Sequence, residues 1–332
     1  MSTTARSRGF SLVELLIAIT LGLLLTIGLI NIFINSKQSY RLQEATSRMQ
    51  ENGRFAVDAL SRAIHLADFW GSVSPSDVAL VGGTTYGGVG GCSNAWLINP
   101  QEGLRGYEGG ASAPVGLPQG CISNYVAGSD AIALRYADPD AIVPTADIAS
   151  SLSNGSYFLR VLTGRSAVLF NGDSDARGSA LGALPDVAGV PGAVLNYRFR
   201  PELYYLGNFS AAGITATPSL YFRRALKGEV ESTAIVDGVE TMHFEYGLDV
   251  NGDLSTDRYV TAADIASADW ARVLAVRVSL IVRGDQLDRY RDDRSYSLAG
   301  GATYEVPAAA RNFLRTQIVK EVLVRNRARS RG

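Results

Sequence analysis

Hydrophobic residues fall along this chain in three successive regimes. From Leu15 to Ile34 twenty positions pass without a charge, and at the helical rise they span roughly the 30 Å of a bilayer core. Apolar residues then recur at intervals of three, four and seven, at Leu42, Ala45, Met49, Ala56, Leu60, Ile64 and Ala67, a spacing that predicts one stripe on a continuing helix. No proline precedes Pro75, and the only glycines from Phe10 to Trp70 are Gly22, Gly28 and Gly53. One helix is therefore predicted from Phe10 to about Ala67, with a bend at Gly53. Asn52 and Gly53 interrupt the stripe, which favours packing on the molecule's own sheet over a coiled-coil seam.

From Gly71 to Gly128 the chain turns to glycine, proline and serine, as in GGTTYGGVGG at 82 to 91, and predicts loops. Beyond Gly128 period-two alternation predicts strands at Ala131 to Tyr136, Tyr157 to Leu162, Ala167 to Phe170, Val194 to Arg200, Leu203 to Leu206 and Leu220 to Ala225. Further strands are predicted at Thr233 to Val236, Glu240 to Tyr246, Arg272 to Val282 and Phe313 to Val324. The predicted class is α+β, a long N-terminal helix packed on a largely antiparallel β-sheet domain. Its divisions are residues 1–9, an apolar helix over 10–36, an amphipathic continuation over 37–70 and a β-rich globular domain over 71–332.

Composition adds compartment and partner class. With 332 residues, 46% hydrophobic and 19% charged, the chain can bury a sizeable core. Its net charge of -1, with no dense basic run, disfavours nucleic acid. Arg6 and Arg8 precede the apolar run, and positive residues beside a membrane helix stay cytoplasmic, which sends the C-terminal bulk across the inner membrane into the periplasm. In that oxidising space the two cysteines, Cys92 and Cys121, fit a bridge worth roughly 3–4 kcal/mol for a loop of about 30 residues. Two unrelated thiols are the competing reading.

Glu14 stands out, flanked by Leu12, Val13, Leu15 and Leu16, because a carboxylate in that setting costs a few kcal/mol and calls for a partner. The run G9-F10-S11-L12-V13-E14-L15 resembles the type III signal of type IV pilins and type II secretion pseudopilins. The resemblance implies cleavage after Gly9 by the prepilin peptidase, which makes 1–9 a leader, and methylation of the new terminus at Phe10. It also implies that Glu14 pairs with a neighbouring subunit's terminal amine during assembly. QENGRFAVDALSRAIHLADFWG at 50 to 71, SDAIALRYA at 129 to 137, PSLYFRRAL at 218 to 226, VDGVETMHFEYGLDVNGD at 236 to 253 and VLVRN at 322 to 326 resemble the PilW family of minor pilins. That family implies a structural subunit of the initiating or tip complex that primes pilus assembly, with other minor pilins and the major pilin as partners. Residence is then in the inner membrane and later in the pilus fibre at the cell surface. The J-type pseudopilin of type II secretion is the alternative, and its members are generally smaller.

An anchored periplasmic enzyme has little chemistry to draw on. His65 and His243 are the only histidines, and HExxH and GxSxG motifs are absent, so no catalytic residue is assigned and no cofactor is required. The last candidate is DVNGDLSTD at 249 to 257. Asp249, Asn251, Asp253, Ser255 and Asp257 place oxygens at alternate positions, a spacing used by calcium loops. Leu254 stands where an EF-hand has its turn glycine and Val260 where it has glutamate, whereas Asn251-Gly252 is a type I′ hairpin signal. A plain turn and a Ca2+-stabilised turn both remain open at this point.

Overall fold

The structure, a computed structural model, describes residues 11–81, 98–118, 120–148, 156–171, 174–188, 190, 192–209, 217–226, 229–287 and 290–329. The helical pattern is realised as a single element, α1 (Leu12–Leu66). The chain forms two compact units, one up to Arg48 and one from Met49 onward. In the first unit every residue from 11 to 34 is exposed. The hydroxyls there turn back on the helix: Thr20 Oγ1 donates to Ile17 O at 2.9 Å and Thr26 Oγ1 to Gly22 O at 2.8 Å, so neither is left unsatisfied against lipid.

In the second unit the apolar stripe of α1 is buried. Met49, Ala56, Leu60, Ile64 and Ala67 join one core with Met242, Phe244, Val278, Leu280 and Val322. The helix runs through Gly53 unbroken. A Cβ at this position would lie 2.3 Å from Ile318 Cδ1, so the missing side chain lets the helix approach the sheet closely. The end of α1 is held by Asn326, whose Nδ2 donates to the carbonyls of His65, Leu66 and Ala67 at 3.2, 3.3 and 3.0 Å. These are among the orphan acceptors every helix end leaves. Next to them Arg327 Nε meets Asp68 Oδ2 at 2.7 Å.

Among the described residues the strands of the β-rich body form three sheets. The first contains β1 (Val78–Leu80), β2 (Leu104–Tyr107), β3 (Ala131–Ile142), β4 (Tyr157–Leu162), β5 (Ser166–Asn171), β6 (Val194–Phe209), β7 (Thr217–Leu226) and β8 (Glu229–Asp237). Their order is β1-β5-β4-β6-β3-β2, with β7 pairing β6 and β8; among the described residues only β1 with β5 is parallel. A helix, α2 (Ser174–Ala183), follows β5. The second sheet has order β10-β9-β11-β14, from β9 (Val239–Leu248), β10 (Arg258–Val260), β11 (Val273–Gln286) and β14 (Phe313–Leu323). Between the last two strands β12 (Ser295–Ser297) and β13 (Thr303–Glu305) form a separate ribbon, and α3 (Arg325–Arg329) closes the described chain.

Two expectations change. β1 and β2 fall in the stretch predicted as loops; with three and four residues they are too short for a periodic signal. The strands predicted at Val194 to Arg200 and Leu203 to Leu206 are one strand, β6, which runs through Pro201. There its ladder changes partner: β4 pairs as far as Phe199 and β7 begins at Glu202, while β3 continues opposite. Proline is tolerated where a ladder bond is not required on both sides.

Candidate assembly site

Gly9 and Phe10 lie outside the described residues. From Ser11 onward the start of α1 is closed by its own side chains. Ser11 Oγ accepts from Val13 N at 3.3 Å, and Glu14 Oε2 accepts from Ser11 N at 3.0 Å. This reciprocal pattern is a capping box, which occupies donors that a helix start otherwise leaves open. It also sets a negative charge at the positive end of the helix dipole. Glu14 therefore has a partner within its own chain, and the S-x-x-E spacing that predicts it was present in the sequence, overshadowed there by the apolar run.

The two histidines are structural in their contacts. His65 Nδ1 lies 2.8 Å from Leu323 O, an arrangement that needs the proton on that nitrogen. His243 Nδ1 stands 3.4 Å from Asp130 Oδ1. Asp130 is buried and accepts from Gly109 N and Phe244 N, each at 2.8 Å, so it ties β9 to the loop after β2. Cys121 is buried with Tyr107, Leu117 and Tyr205, and Cys92 lies outside the described residues.

Asp249, Asn251, Asp253 and Asp257 do come together, in the connection between β9 and β10. That connection is nine residues long, not a two-residue type I′ turn, and its carboxylates hold it. Asp249, fully buried, accepts from Gly252 N at 2.5 Å and Leu254 N at 3.2 Å. Asp257 accepts from Val250 N at 2.7 Å and Asn251 N at 3.3 Å, and Asp253 from Ser255 N at 2.8 Å. Leu254 adopts φ 66°, the left-handed conformation usually left to glycine. Among the described residues no group of three or more acidic, histidine or cysteine side chains is arranged to hold a metal. With its oxygens engaged by backbone N–H groups, the turn is expected to give superimposable thermal melts in calcium and in chelator. Asp249→Ala should melt lower in both, at a cost of about 1–3 kcal/mol for the donors it strands. A melt that rises with calcium would instead make the turn a cation site.

A capped, exposed apolar helix that continues into a β-rich domain is the α+β arrangement of pilin-like, membrane-anchored subunits. Residues 4–30 match the prokaryotic N-terminal methylation motif, a likeness to prepilin-like proteins. Residues 203–326, from within β6 to Asn326, match PilW, type IV pilus-assembly protein W, and the two matches support a PilW-family type IV pilin. Such proteins are structural rather than catalytic and interact with other pilus components. No curated protein and no solved structure matches the chain significantly.

Proposed function

We propose that this chain is a minor pilin, a structural subunit of the initiating or tip complex from which the major pilin polymerises. The observation that carries the reading is the pairing of the methylation motif at one end with the PilW match at the other. On this reading the prepilin peptidase cuts after Gly9, Phe10 becomes the methylated terminus, and the apolar half of α1 holds the subunit in the inner membrane until a filament takes it up. The second unit stands in the periplasm, where Cys92 and Cys121 form a disulfide. Deleting the protein tests the role directly: surface filaments seen by electron microscopy should be lost while type II secretion persists. Intact filaments with failed secretion would assign it instead to the J-type pseudopilins.

Glu14 has two tasks on this reading, capping its own helix and meeting a neighbour's terminal amine, and they can be separated. Glutamine serves a capping box as well as glutamate does but carries no charge. Glu14→Gln and Glu14→Ala are both expected to be processed to mature size and to be depleted at least about tenfold from sheared filaments, since an unanswered buried charge is costly. An immunoblot of the filament fraction with either variant at the wild-type level would remove the assembly role.

A further inference from the structure

The second sheet ends on one side at β10, three residues long, and on the other at β14, eleven residues long. Register fixes which backbone groups of β14 are occupied. Val324 N donates to Leu274 O at 2.8 Å, and Leu323 pairs with Ala275. Hydrogen-bonded pairs alternate along an antiparallel ladder. Thr316, Ile318, Lys320 and Val322 therefore bond to β11, while the backbone groups of Arg315, Gln317, Val319, Glu321 and Leu323 point outward. Two of the outward carbonyls are taken: His65 Nδ1 lies 2.8 Å from Leu323 O, and Arg294 Nη2 donates to Arg315 O at 3.3 Å. Between these two ends Gln317, Val319 and Glu321 present a row with no paired strand among the described residues.

Both sides of that row suit an added strand. On the helix side a groove of about 290 Å³ is floored by Val57, Thr316 and Ile318 and rimmed by Arg54, Asp58 and Lys320. Lysine commonly guards an exposed edge, but Lys320 turns to Asp58 at 3.4 Å. Arg54 is then the unmatched charge of the rim among the described residues. On the opposite side Val319 and Leu323 are 54% and 56% exposed, and Glu321 already faces Arg277 at 3.6 Å. Apolar side chains fit that side, and a further acid does not.

We propose that β14 accepts an extended segment of another protein as an additional strand, one whose apolar residues alternate with acidic ones. Main-chain bonds to Gln317, Val319 and Glu321 would supply the affinity, and side chains of alternate parity the selectivity. Apolar groups cover Val319 and Leu323, and the acids reach the groove toward Arg54. This rests on the edge itself and is independent of the assembly role.

The test uses the full chain in detergent with a capped peptide of alternating valine and glutamate. Saturating peptide is expected to slow amide exchange at Gln317, Val319 and Glu321 about tenfold or more, with Ile318 and Lys320 unchanged. Val319→Pro removes an outward N–H and spares the β11 ladder, so it should abolish the protection. Arg54→Glu leaves the strand untouched and should weaken binding about tenfold, and a peptide with lysine in place of glutamate should bind correspondingly poorly. Unchanged exchange at saturation overturns the proposal, as does Arg54→Glu binding like the wild type. Concentration-dependent protection without peptide also overturns it, because the occupant would then be a second copy of this chain.

Discussion

Arg315→Met is expected to destabilise the protein by about 3–5 kcal/mol, a large share of the stability of an ordinary domain. The Arg315 side chain is wholly buried, and its Nε and Nη2 meet the two oxygens of Glu240 at 2.5 and 3.0 Å. Nη1 and Nη2 also donate to Phe313 O at 3.0 Å and Ala310 O at 2.7 Å, and Nη1 lies 3.6 Å from Asp292 Oδ2. Burial works against the charge, but the hydrogen bonds and field of Glu240 outweigh it and the pKa of Arg315 is raised. Glu240 also accepts from Tyr304 at 2.8 Å, so the pair fastens β14 and the β12–β13 ribbon to β9. Methionine fills much of the volume but leaves Glu240 with Arg283 at 3.5 Å as its nearest cation. Urea denaturation of the full chain in detergent would measure the loss, and a variant within about 0.5 kcal/mol of wild type would mean that the pair contributes little beyond packing. The same network sets an acid limit. Burial raises the Asp292 pKa, yet bonds from Arg294 and Tyr296 lower it on balance. Its stabilisation is therefore complete above about pH 4 and disappears as pH falls through the lower folded value.

Gly9→Val is expected to leave essentially all of the protein at full length in the inner membrane. On the proposed reading Gly9 stands immediately before the cut, where a prepilin peptidase would need a small residue, and valine adds a branched side chain at that position. Arg6 and Arg8 would then remain attached to the apolar helix. A retained leader keeps two positive charges next to the segment that must enter the filament core, so filament incorporation should fail together with processing. An immunoblot decides the matter: a mature-size Gly9→Val product beginning at Phe10 would overturn the cleavage assignment.

The long helix and most of the strands were legible because each repeats its signal several times, as in the stripe from Leu42 to Ala67 or the alternation through β9 and β11. The partition of the strands into separate sheets was not, because it depends on which edges meet, and alternation says nothing about neighbours. Pro201 reads locally as a break; only the change of partner from β4 to β7 shows why β6 can pass through it. Nothing local in the sequence marks Arg315 and Arg160 as buried; acceptors that include Glu240 for the first and Asn196 for the second make that burial tolerable. At the candidate site Glu14 was conspicuous by its charge. Ser11, its capping partner, looked ordinary, since serine in a signal segment is common and a cap declares itself only when the helix start is known. In the 249–257 turn the oxygen spacing was visible. That the oxygens bind the turn's own N–H groups follows from a backbone path that the left-handed Leu254 helps to set.

Asn326 bonds to the end of α1 across 261 positions of sequence, and this separation constrains the order in which the protein can mature. At translation rates of 5–20 residues per second, about 13 to 50 s pass between synthesis of the helix end and synthesis of the residue that closes it. For that interval the apolar stripe from Met49 to Ala67 has neither its cap nor the strand that brings Val322 to its core. The lower half of α1 is thus among the earliest segments made and among the last to be secured, and a chaperone that shields an apolar helix would act in that interval.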